Sequence, residues 1–399
     1  MWSNIENYKQ IKNKWGFANA PFIVDEGGLV ASSGYTGLDT QVAFVDIWQL
    51  LLASGGVNRW IFFGYGCWLG EGIIDLAVGT NNTPVNRNQL NGVGVAYQTI
   101  QKALTGGTFT TAISRQHATN LMPNQNWAGA IAGIDVANTN SGTYPTGMSC
   151  NCQAGNGIGT TVLGTGIEDG IPYMDWHVYG TWNGTGNDYM QLLMANGKIL
   201  PTDGLGQYWT FSAYVKMQAG STTGLVQNHV RMTNNELNSS GTYLSPQSPY
   251  MDMGFVPGTA SLSHDYQEIT DTVADSTAIY QAPLLSIGFT ANVPIDITLR
   301  IGTPSMDQGT VWSGNLTQAN GTLVRVAWDM AATRSAPTSY AVPSTFKYSL
   351  ILDGTSSETA IAGNTVPIFN VPTFFEKCTI AGEKFFQRMS QVISSSELI

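Results

Sequence analysis

Apolar and polar residues alternate along four segments in the second half of the chain. In YWTFSAYVKM (208–217) the apolar set is Trp209, Phe211, Ala213, Val215 and Met217, while Thr, Ser, Tyr and Lys occupy the positions between them. The same period of two runs through IDITLRIG (295–302), TLVRVAWDM (322–330) and FKYSLILDG (346–354). Because successive side chains of a strand point to opposite faces, these segments predict strands with one buried face, as in antiparallel sheets. With turn-rich stretches between them, they predict a mainly β fold, a jelly-roll-like antiparallel β-sandwich that is either one large sandwich or two in tandem.

Two segments depart from this alternation. VAFVDIWQLLLASGG (42–56) is either a helix that ends at Gly55-Gly56 or an opening strand, and its pattern does not decide between them. Near the C-terminus, apolar residues recur at helical spacing and predict a short amphipathic helix over 379–399. Its apolar positions are Phe385, Phe386, Met389, Val392 and Ile393.

We expect three parts in the chain, and the boundary at 43/44 is one that the family resemblance described below implies. Residues 1–43 form an N-terminal arm or attachment segment, and 44–378 form the jelly-roll-like β-sandwich region, with a subdivision near 200 left open. Residues 379–399 form the C-terminal amphipathic helix.

Low charge narrows the range of partners. Only 11% of the residues are charged and the net charge is −10, which disfavours nucleic acid and anionic membrane surfaces. Neutral partners, such as sugars or other protein subunits, are easier to accommodate. The first 20 residues contain no apolar signal-peptide region, and no run approaches the ~18 apolar residues of a membrane helix. We therefore expect no membrane insertion.

Motifs for cofactors and catalysis are absent from the sequence. His117, His177, His229 and His264 are widely spread and none lies in a metal-binding motif. GYGCWLGEG (64–72) has the wrong glycine spacing for a nucleotide loop, and no Gly-x-Ser-x-Gly elbow is present. We expect no catalytic residues, no bound cofactor and no metal.

Four segments taken in order resemble a family of bacteriophage fibre proteins. They are FVDIWQLLLASGGVNRWIFF (44–63), TTAISRQ (110–116), YWTFSAYVKMQAG (208–220) and FFEKCTIAGEKFFQR (374–388). The resemblance implies a jelly-roll domain similar to carbohydrate-binding modules, of the kind found at the tips of tail fibres and other virion appendages. It also implies a location in the virion and no enzymatic activity.

The resemblance implies a structural virion protein, most simply a tail fibre or tail appendage that acts in assembly and in host-surface glycan recognition. Its partners would be other virion proteins, further copies of itself (a trimer by analogy) and a host surface glycan. One alternative is a head fibre or capsid decoration protein. The other is a polysaccharide depolymerase, a glycosidase that uses carboxylates near 168–175.

The candidate site combines acidic and aromatic residues. GIEDGIPYMDWHVYGTW (166–182) contains Glu168, Asp169 and Asp175 among tyrosines and tryptophans. Paired carboxylates beside rings suit a glycosidase, a non-catalytic sugar groove or a packed loop. We select Asp175, Trp176, Tyr179 and Trp182 as candidate glycan-binding residues, because the stretch is rich in turn residues and the two tryptophans are expected to be exposed. A second acidic cluster, Asp265, Glu268, Asp271 and Asp275, predicts a solvated face.

Overall fold

The computed structural model describes part of the chain, and its residues divide into two compact units. The described residues are 21, 23–27, 38–57, 59–62, 96–97, 99–101, 104–151, 157–185, 188–196, 206–244, 250–252, 261–353, 356 and 358–377. Those up to 116 and from 310 onward form unit 1, and those from 117 to 309 form unit 2. Unit 2 is thus an insertion in the chain of unit 1.

Most of the described residues lie in strands. The strands are β1 Ile23–Gly27, β2 Arg59–Phe62, β3 Thr108–Arg115, β4 Asn140–Ser141, β5 Ser149–Asn151, β6 Ile158–Glu168, β7 Ile171–Thr181, β8 Asp188–Leu193, β9 Tyr208–Gly220, β10 Leu225–Leu237, β11 Tyr250–Asp252, β12 Tyr266–Thr272, β13 Tyr280–Phe289, β14 Pro294–Asp307, β15 Val311–Thr317, β16 Leu323–Asp329, β17 Thr338–Ala341, β18 Phe346–Ile351, β19 Thr359–Ala360, β20 Thr365–Ile368 and β21 Thr373–Lys377. An α-helix, α1, spans Leu38–Ser54, and a 3₁₀ turn spans Leu262–His264. None of the helices described here is long and apolar enough to cross a membrane. The predicted mainly β fold is confirmed.

The ambiguous segment at 42–56 is a helix. Its end has the hydrogen bonds of a helix C-cap, from the Gly55 amide to the Leu51 carbonyl (2.8 Å) and from the Val57 amide to the Leu52 carbonyl (3.0 Å). Gly56 has φ +77°, a left-handed conformation that glycine adopts without the strain other residues incur. The strand alternative is therefore wrong, and α1 includes the last residues of the predicted 1–43 arm.

Unit 1 contains a six-stranded antiparallel sheet, and different elements pack against its two faces. Its strand order is β19-β18-β21-β16-β15-β3. Val326 and Phe374 lie on the face that packs against Trp48 and against the leucines at 50–52 of α1. The next residues along each strand, Ala327 and Phe375, lie on the opposite face and pack with the β17–β20 ribbon. Among the described residues, the sheet of unit 1 is therefore covered by a helix on one face and by a two-stranded ribbon on the other.

Unit 2 is a two-sheet β-sandwich. One sheet has the order β11-β10-β13-β8-β5 and the other β12-β9-β14-β7-β6-β4, with antiparallel pairs except at β4–β6. Both sheets contribute to one hydrophobic core, which includes Trp176, Trp209 and Phe289. From β7 to β14 the strands have the order of a jelly roll, with β7-β14-β9-β12 in one sheet and β8-β13-β10-β11 in the other.

The outer faces of the two sheets differ in exposure. On the five-stranded sheet, the outward residues Thr233, Leu284 and Ser286 are buried. On the six-stranded sheet, β7 alternates buried residues that point into the core with outward residues that are half-buried. This second outer face is where functional side chains can meet a ligand.

Several predictions fall outside the described residues. The C-terminal helix over 379–399, most of the arm over 1–43 and the subdivision near 200 (residues 197–205) are among them.

Candidate functional site

Register brings outward side chains of four neighbouring strands into rows on the six-stranded sheet. Asp175 of β7 lies opposite Gly164 of β6 and opposite Arg300 of β14, and Arg300 lies opposite Lys216 of β9. Two residues away on each strand, Tyr173 lies opposite Gly302, which lies opposite Tyr214. We call these outward positions, with His177 and Tyr179, the outer face.

Arg300 is the centre of an ion network on the outer face. Its Nε and Nη2 donate to the two carboxylate oxygens of Asp175, each at 2.8 Å, and its Nη1 donates to Glu168 at 2.5 Å. Lys216 Nζ donates to the other Glu168 oxygen at 2.6 Å. The hydrogen bonds that Arg300 donates to Asp175 and Glu168 outweigh the effect of burial and raise the pKa of Arg300. All four side chains are less than one-fifth exposed, so the network is held rigidly in place.

The two acids at the β6–β7 turn fasten a neighbouring segment. Glu168 accepts a hydrogen bond from the Leu262 amide at 2.9 Å, and Asp169 accepts from the Ser263 amide and the Ser261 hydroxyl. Burial alone would raise the pKa of Glu168, but the hydrogen bonds from Lys216, Arg300 and the Leu262 amide together lower it. Both carboxylates are therefore structural anchors in their ionised form.

Aromatic rings lie beside the ion network. The guanidinium carbon of Arg300 is 3.7 Å from the centroid of the Tyr173 ring. Tyr214 and Tyr266 pack edge to face with centroids 5.3 Å apart, and the Tyr266 hydroxyl donates to Glu268 at 2.6 Å. Burial raises the pKa of Tyr214, which therefore remains a neutral phenol. These rings and ions together form a surface with both apolar and hydrogen-bonding parts.

His177 binds two carboxylates from different segments. Its Nδ1 is 3.1 Å from Asp135 and its Nε2 is 3.0 Å from Asp296. Its ring stacks on Tyr179, with centroids 4.6 Å apart and planes at 28°. The Tyr179 hydroxyl donates to the Val136 carbonyl (3.0 Å) and accepts from the Val136 amide (2.6 Å). These contacts hold the 131–139 segment against one end of the outer face.

The structure separates the four predicted glycan-binding residues. Asp175 and Tyr179 point outward from β7, but Trp176 and Trp182 are buried in the core. Trp176 Nε1 donates to the Tyr144 hydroxyl at 3.1 Å inside the sandwich. The expected exposure of the two tryptophans is wrong, because the segment is a strand with period-two alternation and not a turn-rich loop.

Of the second acidic cluster, Glu268 and Asp271 lie in β12, while Asp265 and Asp275 flank that strand. Asp265 is buried, Glu268 binds Tyr266, and Asp275 accepts hydrogen bonds from Thr277. The side chain of Asp271 lies outside the described residues. Across the described part of the chain, no three His, Cys, Asp or Glu side chains come together in a way that could hold a metal ion.

Residues that the sequence analysis did not select complete the face. Arg300, Lys216 and Asp296 occupy polar positions of alternating strands, so their outward direction was predictable. Their contacts on this face depend on which strands are neighbours in the sheet. The alternation of apolar and polar residues does not specify the strand order.

Comparisons with known proteins show distant likeness of fold. No protein-family model and no curated protein matches the chain. A carbohydrate-binding module of the β-sandwich superfamily, described as promiscuous in specificity, is 15% identical over 40% of this chain and 56% of its own length, with a TM-score of 0.28. TmCBM61, solved with β-1,4-galactotriose, is 6% identical over 48% of this chain and 99% of its own, with a TM-score of 0.25.

A phage protein is also among the similar structures. The enzymatically active domain of bacteriophage CBA120 tailspike protein 4 is 10% identical over 41% of this chain, with a TM-score of 0.24. This chain spans about half (56%) of the first module and 19% of the tailspike domain. At these TM-scores the likenesses carry no conclusion about ligand or residues, and the phage fibre resemblance stays a prediction from sequence.

Proposed function

We propose that unit 2 is a non-catalytic carbohydrate-recognition sandwich that binds a glycan on the outer face of its six-stranded sheet. The observation that carries the proposal is the combination of aromatic rings and mutually bonded ions on this face. Sugar rings present apolar faces that stack on tyrosine and hydroxyl groups that bond to carboxylates, guanidinium and ammonium groups. Because the ions already hold one another in place, little ordering cost remains to be met when a ligand binds.

The balance of charge favours an uncharged glycan. Glu168, Asp175, Asp135 and Asp296 contribute four carboxylates, while Arg300 and Lys216 contribute two positive charges. An anionic sugar would meet net repulsion on this face. Neutral hexoses and N-acetylated sugars are the class that the face accommodates.

We propose no chemistry at the carboxylates near 168–175. A glycosidase acid needs a raised pKa, whereas the pKa of Glu168 is lowered. Glu168 and Asp175 are both bonded to the same guanidinium, which would have to be displaced before either could reach a sugar. These contacts favour the binding module over the depolymerase.

The role in a phage particle is proposed on sequence alone. The four segments that resemble phage fibre proteins lie in both units, at α1–β2, β3, β9 and β21. We propose a tail fibre or tail appendage located in the virion, with a head fibre or capsid decoration protein as the alternative.

A glycan array probed with the full chain tests the binding function. We expect neutral oligosaccharides to bind, and Tyr214→Ala to reduce that binding by about tenfold or more, given ~1.5–3 kcal/mol for a buried large apolar contact. Tyr189→Ala is the matched control, because Tyr189 is an exposed tyrosine of the five-stranded sheet. Binding of no oligosaccharide would leave a purely architectural role, and release of new reducing ends from a bound glycan would favour the depolymerase.

A further inference from the structure

The outer edge of β6 is open along half of its length. On that side β4 pairs only with Thr160 and Thr161, and the Gly133 amide bonds to the Val162 carbonyl at 2.9 Å. Beyond Val162, β6 pairs with β7 along one edge. The described residues provide no partner strand for the opposite edge of 163–168. An open edge presents a row of backbone donors and acceptors to any strand that can approach it.

Apolar side chains are exposed on this open edge and beside the paired half of β6. Leu163 is 43% exposed and Ile167 73% exposed, and Ile131, Ile134 and Val136 of the adjoining segment are exposed as well. These five make up half of the large hydrophobic residues that are exposed in the described part of the chain. Leu163 and Ile167 are thus exposed apolar side chains on an unpaired strand edge, which favours a protein–protein contact there.

The open edge has one charged residue, Glu168, which lies at its end and is paired with Arg300 and Lys216. From 118 to 167 the only charged residue is Asp135, which is bonded to His177. Natural sheets place lysine or inward-pointing charges on such edges to prevent association. In a chain of net charge −10, an uncharged surface is where two copies can meet without repulsion.

The sequence of the edge is close to a palindrome. Leu163-Gly164-Thr165-Gly166-Ile167 reads as apolar, Gly, Thr, Gly, apolar in both directions. In an antiparallel pair centred on Thr165, Leu163, which is bulged and has no partner in β7, lies closest to Ile167 of the other copy. Gly164 then lies opposite Gly166, and Thr165 lies opposite Thr165. Self-complementarity of this kind is the requirement for a twofold interface.

We propose that two copies of this chain associate through β6 edges paired antiparallel about Thr165, to form one continuous sheet across the dimer. The twofold axis is perpendicular to the sheet, because directly opposite residues of an antiparallel pair lie on the same face. Both outer faces then point to the same side of the dimer. If the proposed glycan binding holds, a dimer engages a glycan-coated surface at two points, which strengthens binding without new contacts.

Substitutions at Thr165 test the interface directly, because this exposed side chain lies on the axis. We expect the parent to sediment at high concentration with twice the chain mass of 42.8 kDa. Thr165→Lys and Thr165→Glu, each placing like charges opposite each other, should weaken the dimer by about tenfold or more. An equimolar mixture of the two variants should restore it.

Disulfide trapping gives an independent readout. Directly opposite residues of an antiparallel pair have Cα atoms ~4.5–5.5 Å apart, within the range that a disulfide spans. Thr165→Cys should therefore oxidise to a covalent dimer. The matched control is Thr110→Cys, on the exposed β3 edge of the unit 1 sheet, and the parent reports the background from native cysteines.

Three results would overturn the proposal. The first is a parent that stays monomeric at every concentration, with Thr165→Cys crosslinking no faster than Thr110→Cys. The second is a dimer that both charge variants leave intact, which would place the contact elsewhere. The third is a trimer, since an antiparallel twofold contact cannot close a ring of three. None of these assays uses a glycan. A result that refutes the dimer therefore leaves the proposed glycan binding untouched, and the reverse also holds.

Discussion

Removal of Arg300 should destabilise unit 2 by several kcal/mol. Arg300→Gln deletes two hydrogen bonds to Asp175 and one to Glu168, all of them charge-assisted. The side chains of Arg300, Asp175 and Glu168 are each less than one-fifth exposed. Loss of one partner of a buried ion pair costs about 3–5 kcal/mol, because the remaining charge is left without compensation. Lys216 still compensates Glu168, so we expect the lower end of that range, about 3 kcal/mol. For a domain of this size that corresponds to a decrease in Tm of about 6–12 °C.

Scanning calorimetry of the full chain can assign the loss to unit 2. The transition that moves in Arg300→Gln should also move in Asp175→Asn, and the double variant should lose less than the sum of the single losses. The matched control is Arg325→Gln in unit 1, since Arg325 makes one hydrogen bond to the uncharged Asn315 at 3.0 Å. That change should cost about 1 kcal/mol.

The effect of Arg300→Gln should also depend on pH. The pKa of Glu168 is lowered in the folded chain, so its ionised form adds stability above its unfolded value of ~4.3, and this stability is lost as the pH falls through the folded pKa. The difference between parent and variant should therefore shrink in acid. An equal loss at neutral and acid pH, or a loss no larger than that of Arg325→Gln, would refute the network as a stabilising element.

Three further predictions concern both units. Burial, aided by the nearby Asp353, raises the pKa of Asp46 well above its ordinary value, and neither carboxylate oxygen has a hydrogen-bond partner. The free energy of unfolding of the parent should therefore fall as the pH rises from about 4 toward that pKa, by up to ~1.4 kcal/mol per pH unit. Urea unfolding of Asp46→Asn should not show this pH-dependent loss. Identical pH profiles for the parent and the variant would contradict the prediction. Tyr179→Phe removes the hydroxyl that bonds to Val136 and should cost about 1 kcal/mol. Hydrogen exchange should then accelerate at 134–139 and remain unchanged in unit 1, whereas unchanged exchange at 134–139 would show that the hydroxyl does not hold the segment. Trp176→Ala should lower the free energy of unfolding by about 3–5 kcal/mol, since the ring is fully buried; a cost near zero would mean that the ring is exposed, as the sequence analysis expected.

The alternation of apolar and polar residues predicted the strands correctly where only one face of a strand is buried. Trp209 and Trp328 were placed in a core from the period of two, and both are buried. The same reasoning placed the polar side of β9 in water, yet Thr210, Ser212 and Lys216 are buried by neighbouring strands and by partners such as Glu168. Alternation reports which face is apolar, but it does not report what lies on the other face.

The candidate site was predicted less well, for a topological reason. Trp176 and Trp182 were selected because aromatic residues in a Gly-rich stretch suggest an exposed loop. The alternation of Met174, Trp176 and Val178 would have indicated a buried face instead. The Arg300 network joins residues that are 125 and 132 positions apart, and no local pattern encodes such distant pairing.

A crystal structure of the chain with a neutral oligosaccharide identified on the array would test the central claim most directly. We predict the sugar on the outer face, with one ring stacked on a tyrosine at 173, 214 or 266 and hydroxyl groups bonded to the Arg300 network. Arg300, Asp175 and Glu168 should keep their mutual contacts on binding. A sugar bound elsewhere, or one that binds only after displacing Arg300 from both carboxylates, would contradict a preorganised, non-catalytic glycan-binding face.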